Sequence, residues 1–289
     1  MSAALALCAL LALAPGAEPN LAGTRVVLLV AGEADRAAPS VREADASLSG
    51  AGARVSVRSV PEAARALASV GPGSDDDALW LALGKGAAPA LAAATPRRRA
   101  ALLVRHGEAA GLPAVVVDVP VDAQLGWLAA AFPGRSRVLV PRRPGSGVDE
   151  LLRAAAASHG LRLELVDVER PGETVPALQA ALRRGSAPAL VFLVPDSTAL
   201  TADTLAPLAQ MALEARAPLV GFSPYFLRIG ALAAVASEVG PSARQAAALA
   251  LSGQPVEEAP RAARLLVDGR LAERLGVAVR ESPGVEVRR

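Results

Sequence analysis

The sequence predicts an α/β protein of two lobes, each a doubly wound parallel sheet with helices on both faces. Continuous apolar runs, such as RVVLLV beginning at Arg25, alternate along the chain with segments of helical periodicity. This alternation is typical of β-α-β units around a parallel sheet. It occurs twice, because a second series of buried strands begins near Ser136. The length of 289 residues also favours two domains over one.

The first series runs from residue 25 to about residue 119. Its strands are expected where β-branched or leucine-rich runs occur, at 25–32, 53–60, 78–84, 100–104 and 114–119. Its helices are expected at 39–51, 61–71 and 87–100, with a loop at 71–77. Arg97, Arg98 and Arg99 form the one compact basic run, which is interpreted as a solvated helix end.

The second series follows a helix that contains Gln124 and Trp127. Its strands are expected at 136–141, 161–168, 189–195 and 217–223, and residues 230–236 form another short apolar run. Its helices are expected at 148–160, 175–185, 202–216 and 242–253. Residues 264–277 are expected to close the chain as a strand, a turn and a helical turn.

The N-terminal segment predicts export. Residues 3–14 form an apolar run that is shorter than the roughly 20 residues needed to span a bilayer. Small residues follow it, so residues 1–17 are predicted to be a secretory signal peptide and the mature chain to be periplasmic or secreted. No basic residue precedes the run, which leaves a buried N-terminal helix as an alternative, and Cys8 raises lipidation as another.

Composition argues against several classes of function. The net charge is only +2, aromatic residues make up 2% of the chain, and no basic stripe is present, so no nucleic-acid partner is expected. Cys8 is the one cysteine, and His106 and His159 lie far apart, so neither a metal site nor a disulfide framework is expected. The sequence contains no nucleophile elbow, phosphate loop or paired-glycine fingerprint, and we therefore expect neither enzymatic activity nor a cofactor.

Polar residues follow the predicted buried strands. In LVFLVPDSTALT, a carboxylate and two hydroxyls at Asp196, Ser197 and Thr198 end an apolar run abruptly. Ligands of open parallel sheets lie beyond the carboxyl ends of the strands, so these residues are candidates for ligand binding at the opening of a helix. The alternative is that Asp196 or Ser197 only satisfies free backbone donors.

The last third of the chain contains a strand, a Pro-Asp-x-Thr turn, a helix and a Pro-to-Ser strand, followed by three shorter motifs. The motifs are Pro195 to Thr198, Pro218 to Ser223, Gly230-Ala231-Leu232, Arg244-Gln245-Ala246 and Gly253-Gln254-Pro255. In this order they resemble the periplasmic substrate-binding proteins of one ABC-transporter family, whose best-known members bind aromatic amino acids such as tryptophan. The first half matches more loosely, at Asp77, Gly84 and Ala87.

The resemblance implies a fold like that of type I periplasmic binding proteins. It implies a monomeric, secreted solute-binding protein that captures a small molecule, amino-acid-like or anionic, in an interlobe cleft and presents it to an ABC permease. Lobe 1 is expected to comprise residues 24–125 plus about 237–253, and lobe 2 residues 126–236 plus about 254–289. The implied ligand-binding residues are Gly32, Glu33, Gly84, Lys85, Gly86, Asp196, Ser197, Thr198, Ser223 and Tyr225.

The departures from that family point away from tryptophan. Lys85 stands where the family usually has a threonine, and a cation there favours an anionic group. Aromatic residues that could stack on an aromatic ligand are scarce. One alternative is a sensory or accessory module of the same fold that signals to a partner protein without transport. Another is an enzyme on the same scaffold, because a fold does not determine a function.

Overall fold

The structure is a computed structural model that describes residues 19–69 and 77–289. The predicted signal peptide, Cys8 and most of the predicted loop 71–77 lie outside the described residues. In chain order the strands are β1 Arg25–Val30, β2 Arg54–Ser59, β3 Leu79–Leu83, β4 Arg98–Val104, β5 Ala114–Val116, β6 Arg137–Arg142, β7 Arg162–Asp167, β8 Ala189–Phe192, β9 Leu219–Gly221, β10 Ala233–Ser237, β11 Glu257–Glu258, β12 Ala263–Asp268 and β13 Val285–Arg288.

Helices separate most of these strands. They are α1 Pro39–Gly50, α2 Val60–Ser69, α3 Ala88–Ala94, α4 Val121–Ala131, α5 Asp149–Ser158, α6 Thr174–Arg184, α7 Ala202–Glu214, α8 Tyr225–Arg228, α9 Val239–Ser252 and α10 Gly269–Leu275. Two short 3-10 helices lie at Glu33–Ala37 and Pro171–Glu173. The predicted alternation of strands and helices is thus present along the chain.

The strands form two sheets. A six-stranded sheet has the order β11-β5-β4-β3-β1-β2, and a seven-stranded sheet has the order β13-β12-β10-β9-β8-β6-β7. The pairs β1–β2, β1–β3 and β3–β4 are parallel in the first sheet, as are β6–β7, β6–β8, β8–β9 and β9–β10 in the second. One strand departs from the prediction, because β12 runs antiparallel to β10. The predicted α/β class with two parallel-dominated sheets is confirmed.

Burial follows from the residue pattern of the strands. Every residue of β3 and of β8 is buried, as a strand covered by helices on both faces requires. Strand β2 lies at the edge of its sheet and alternates exposed and half-buried residues, ending in the buried Ser59. The prediction of one exposed face for this strand is therefore confirmed.

The prediction of a helix over 87–100 is wrong in its second half. Helix α3 ends at Ala94, Thr95 adopts a left-handed conformation with φ of 51°, and Pro96 follows. A proline disfavours helical geometry at the preceding residue, which explains the stop. Arg98 then begins β4 and pairs with Leu79 of β3. The triple arginine therefore leads into a strand rather than forming a solvated helix end.

Sequence reasoning missed the shortest elements. Strand β13 pairs in parallel with β12, and the two-residue β11 closes the order of the first sheet beside β5. The segment that forms β13, Val-Glu-Val-Arg, is half polar and too short to show a period. Helix α8 spans only four residues. Such elements form because longer neighbours provide pairing partners and an apolar surface.

The packing divides the chain into two compact units. The first comprises the described residues up to Leu102 together with Ala109–Ala114 and Ala243–Val256. The second comprises Leu103–Glu108, Val115–Ser242 and Glu257–Arg289. The predicted lobe limits stay a prediction, although residues 115–125, expected in lobe 1, pack in the second unit.

Helices cover both faces of the seven-stranded sheet. On one face, Leu125 and Leu128 of α4 and Leu152 of α5 pack in a core with β6, β8 and β12. On the other, Leu178 of α6 and Leu208 of α7 pack against a second apolar cluster. This two-sided cover explains why the sheet's interior strands are almost entirely apolar.

Candidate functional site

A cavity of about 670 Å³ lies beyond the carboxyl ends of strands in the seven-stranded sheet. Strands β8, β9 and β10 are parallel neighbours, so their carboxyl ends lie at one edge. The residues that follow β8 and β9, and the end of β10, line the cavity. All of its lining residues belong to the second unit. This edge is where open parallel sheets bind ligands, and we call this space the carboxyl-edge cavity.

The walls of the carboxyl-edge cavity are mostly apolar. They are formed by Val117, Val119, Val121, Val148, Phe192, Leu193, Val194, Pro195, Phe222, Pro224 and Val235. The ring of Phe222 packs edge-to-face on that of Phe226, with 4.7 Å between ring centroids, so one aromatic wall is held in a defined orientation. An apolar group of a ligand would be desolvated against these walls.

Gln124 of α4 brings an unsatisfied acceptor to this site. Its side chain is buried, with 9% of the residue exposed, and the residue lines the carboxyl-edge cavity. Its amide nitrogen donates to the carbonyl of Val119 at 2.7 Å, which sets the orientation of the amide. Its Oε1 is buried and has no hydrogen-bond partner among the described residues. A buried acceptor without a donor is unfavourable by about 1–3 kcal/mol, so a ligand donor here would be stabilising.

Two opposite charges also line the cavity, Arg105 and Asp118. Asp118 Oδ2 accepts from the backbone N–H of His106 at 2.8 Å, which anchors the carboxylate beside the end of β4. Among the described residues, the Arg105 guanidinium makes no ion pair. The hydroxyl-bearing residues Ser223 and Ser237 complete the polar lining. A cation, an anion and hydroxyls around apolar walls suit a small ligand that carries both charge and an apolar part.

The structure places Asp196 as a link between two loops of the same edge. Its carboxylate accepts the backbone N–H groups of Arg143 at 2.7 Å, Thr198 at 2.8 Å and Ala199 at 3.1 Å. Burial raises the pKa of Asp196, but these backbone N–H groups and the charge of Arg143 outweigh burial and hold the pKa below its ordinary value. The carboxylate is thus ionised and satisfies backbone donors, while its predicted contact with a ligand stays a prediction.

The expectation that residues 196–198 open a helix is wrong. They form a turn in which Ser197 is exposed and Thr198 is half-buried. Helix α7 begins only at Ala202, and the N–H of Thr201 donates to the hydroxyl of Thr204 at 2.9 Å. The carboxylate of Asp196 stabilises the turn by accepting hydrogen bonds from nearby backbone N–H groups. The helix therefore begins later in the sequence.

Ser223 and Tyr225, the other two predicted ligand-binding residues of this unit, differ in their position relative to the carboxyl-edge cavity. Ser223 lines the carboxyl-edge cavity, directly after β9. Tyr225 begins α8, is 52% exposed, and packs edge-to-face on Phe226 with 6.3 Å between ring centroids. It is not among the residues that line this cavity.

The predicted residues of the first unit meet at the carboxyl edge of the six-stranded sheet. Gly32 and Glu33 follow β1, and Gly84, Lys85 and Gly86 follow the adjacent parallel strand β3. A Cβ on Gly86 would lie 2.7 Å from the Cβ of Ala31, so only glycine allows this approach.

The side chains of that edge differ in their contacts. Glu33 pairs with Arg36 at 2.9 Å and accepts from the hydroxyl of Ser59 at 3.3 Å. Lys85 is exposed. The structure thus brings the five predicted residues of this unit to one edge, and their ligand contacts stay a prediction.

Sequence reasoning missed Arg105, Asp118 and Gln124 as parts of one site. Arg105 and Asp118 do follow strands, β4 and β5, and that position was an available signal. Gln124 offered none, because a single amide in an apolar helix has no motif. The described residues contain no cluster of three or more metal-ligating side chains. No helix within 19–69 or 77–289 has the length and apolar character needed to cross a membrane.

Comparison with known proteins gives fold neighbours. No family model matches the sequence, and no curated protein matches it. A ligand-free, open substrate-binding protein with adhesive properties from Clostridium difficile superposes with a TM-score of 0.67 at 14% identity, covering 92% of this chain and 99% of that one. An ABC domain in complex with L-Trp from Streptococcus pneumonia gives 0.52 at 15% identity, covering 91% and 99%. A periplasmic ribose ABC transporter from Conexibacter woesei gives 0.50 at 16%, covering 89% and 96%.

These neighbours define the class of fold. The chain has the architecture of type I periplasmic binding proteins, with two parallel-dominated sheets and helices between the strands. By its description the neighbour from Clostridium difficile is a substrate-binding protein, and the one from Conexibacter woesei is a ribose ABC transporter. At these identities the likeness concerns the fold alone, and the ligand must be argued from the residues of this chain.

Proposed function

We propose that this protein is an exported substrate-binding protein that holds a small molecule in the carboxyl-edge cavity and presents it to an ABC importer. The observation that carries the proposal is the cavity itself, with apolar walls, two opposite charges and a buried acceptor without a partner. Its volume of about 670 Å³ lies within the range of ordinary small-molecule pockets. The fold of its neighbours and the apolar run at residues 3–14 support export and delivery.

An α-amino acid with an apolar side chain is the ligand class that this lining fits best. Arg105 supplies a forked cation for a carboxylate, and Asp118 supplies an anion for an ammonium group. Gln124 Oε1 would accept from an N–H or O–H of the ligand. The valine and phenylalanine walls would then bury the side chain. A sugar would satisfy the polar groups but would leave these apolar walls without a matching surface.

Calorimetry with matched compounds tests this ligand class. Leucine and phenylalanine should bind, their amides should bind more weakly because they lack the carboxylate, and their N-acetyl forms should also bind more weakly because they lack the ammonium charge. Binding to the folded state should also raise the melting temperature, by an amount that increases with the logarithm of ligand concentration divided by Kd. Ribose is the control compound. Tighter binding of ribose than of leucine would contradict the proposed class.

Arg105→Ala gives the matched test of the site. We expect at least a tenfold loss of affinity for leucine, in line with the roughly 1.5–3 kcal/mol of a hydrogen bond to a charged group, and little change for leucinamide. Arg153→Ala is the control, since Arg153 is an exposed arginine of α5 outside the cavity lining. Equal losses in the two variants would show a general charge effect. Uptake of labelled leucine by a deletion strain, restored by the wild-type chain but not by Arg105→Ala, tests the import role.

A further inference from the structure

A second cavity lies at the opposite, amino edge of the same seven-stranded sheet. Its volume is about 420 Å³, and we call it the amino-edge cavity. The loops that precede β6, β8 and β9, residues 132–136, 185–188 and 215–218, contribute to its lining. Arg137 and Ala189, which are direct register partners on β6 and β8, form part of it. All of its lining residues lie in the second unit.

The amino-edge cavity is strongly basic. Four arginines line it, Arg135, Arg137, Arg183 and Arg216, and no acidic residue does. In the described chain only Arg137 of these four forms an ion pair, with Glu164 at 2.6 Å. Arg135 instead donates to the backbone carbonyl of Ala189 at 3.0 Å. Three guanidinium charges are therefore left without a carboxylate.

The buried Arg137 has spare hydrogen-bonding capacity. Its side chain is only 6% exposed; Nε and Nη2 donate to Glu164, and Nη2 also donates to the carbonyl of Ala181 at 2.6 Å. Its Nη1 is buried and finds no hydrogen-bond partner within residues 19–69 and 77–289. The guanidinium lies so close to Gly185, another lining residue, that a Cβ there would clash with it. An unsatisfied charged donor at this depth is unfavourable unless an acceptor arrives.

Arg135 also has no carboxylate beside it among the described residues. Burial lowers the pKa of the Arg135 guanidinium, because the charge is partly desolvated without an anion beside it. A polyvalent oxyanion in the cavity would reverse that effect. Arginine is also the residue best suited to it, since the planar fork matches the oxygens of a phosphoryl group.

We propose that the amino-edge cavity is a binding site for a small molecule that bears a phosphoryl group. Arg135, Arg183 and Arg216 contact the phosphoryl oxygens, and the buried guanidinium of Arg137 adds a positive charge to the wall. The cavity is larger than inorganic phosphate alone, so it has room for an organic portion. This site lies at the edge opposite the carboxyl-edge cavity and is independent of the proposed amino-acid ligand.

Calorimetry in a phosphate-free buffer tests the site with inorganic phosphate, pyrophosphate, glycerol 3-phosphate and acetate. Both glycerol 3-phosphate and inorganic phosphate should bind with affinities that fall as salt rises, with the ester at least equal to the free ion. Tighter binding of the free ion than of the ester would overturn the organic-ligand proposal. Acetate should bind at least tenfold more weakly than either, and equal binding of acetate would overturn a phosphoryl-specific site.

Paired variants locate the binding. The double variant Arg183→Ala with Arg216→Ala changes only exposed side chains, and we expect at least a tenfold loss of glycerol 3-phosphate affinity. Arg184→Ala is the control, because Arg184 neighbours Arg183 on α6 but pairs with Glu164 at 3.0 Å and does not line the cavity. Unchanged binding in the double variant, or an equal loss in Arg184→Ala, would overturn the proposal. Leucine binding should be unchanged in all of them, which separates this result from a failure of the proposed function.

Discussion

The two edges of the seven-stranded sheet differ in the residues that line their cavities, although the same strands run between them. At and after the ends of β8 and β9 the chain places Phe192, Val194 and Phe222 around the carboxyl-edge cavity, where charges of both signs occur once each. Before the same strands it places arginines and no carboxylate around the amino-edge cavity. The strands between are uniformly apolar and serve both edges. The comparison teaches that the sheet only positions the residues at its two edges. The chemistry of those residues determines what could bind at each edge.

The largest expected change in stability comes from breaking the Arg137–Glu164 ion pair at the amino edge. Glu164→Gln leaves the buried guanidinium of Arg137 without its counter-charge, and we expect the free energy of unfolding to fall by about 3 kcal/mol. Urea denaturation measures the change, and Glu150→Gln, at an exposed position of α5, is the control. Leucine affinity of the folded variant should not change. A stability equal to that of the control would contradict the role of the pair at the amino edge.

The same variant has a defined pH dependence. Burial raises the pKa of Glu164, but the hydrogen bonds and charges of Arg137 and Arg184 outweigh burial and lower it below its ordinary value. A lowered pKa means that the stabilisation is present above the unfolded pKa of about 4.3 and is lost as the pH falls through the folded value. The difference in stability between wild type and Glu164→Gln should therefore shrink below about pH 4. A difference that grows on acidification would contradict this assignment.

Asp196 tests the architecture of the carboxyl edge. Asp196→Ala leaves three backbone N–H groups without their acceptor, and we expect the free energy of unfolding to fall by about 2 kcal/mol. Asp196→Asn keeps an acceptor oxygen and should recover part of the loss. Leucine should bind several-fold more weakly to the alanine variant, since Pro195 lines the cavity, while glycerol 3-phosphate binding should persist. Loss of binding at both edges would indicate that the edges are not independent.

Gln124 should separate binding from stability. Gln124→Met removes the hydrogen bond to Val119 and also the unsatisfied Oε1, so the change in unfolding free energy should stay within about 1 kcal/mol. Leucine affinity should nevertheless fall by about tenfold, because the acceptor in the cavity is lost. Calorimetry measures the affinity for leucine, and urea denaturation of the same preparation measures the free energy of unfolding. Unchanged affinity would remove Gln124 from the proposed site.

Lys85→Ala is expected to have the smallest effect. Lys85 lies in the first unit and does not line the carboxyl-edge cavity, so this variant tests only the sequence-based prediction. If Lys85 contacts the anionic group, as that prediction states, affinity for leucine should fall a few-fold and affinity for leucinamide should not fall. Lys85 is exposed, so its charge is screened and its contribution is modest, about 0.2–1 kcal/mol. Equal losses for the two compounds, measured by calorimetry, would show that Lys85 acts on structure rather than on the ligand.

Much of the fold was predictable because its signals are local. The strands β1, β3, β6 and β8 could be predicted from a continuous run of apolar residues and the residue that ends it. The helix over 87–100 failed at Thr95, where a single left-handed residue before a proline outweighed a helix-favouring composition. Strand β13 was missed because its pairing with β12 depends on a neighbour 20 residues away in sequence at Leu265.

The candidate site was predictable only in part. The rule that ligands lie beyond strand ends led to Ser223, which lines the carboxyl-edge cavity, and to five residues of the first unit that lie at one edge. Their contact with a ligand stays a prediction. It could not indicate that the Asp196 carboxylate would accept three backbone N–H groups, one of them from Arg143, 53 residues away. Hydrogen bonds of that kind depend on which loops become neighbours, and that follows from strand order.

By itself, the sequence determined the class of fold, because apolar runs and helical periods are properties of neighbouring residues. Only the tertiary structure decided that β6, β8 and β9 lie side by side. That order brings Arg135 and Arg216, from two loops, and Arg183, from the end of α6, to one cavity. Among the described residues, Oε1 of Gln124 is likewise left buried without a donor. The physical reason is that the energy of an unpaired charge or acceptor depends on what surrounds it in space, and residues distant in sequence supply those surroundings.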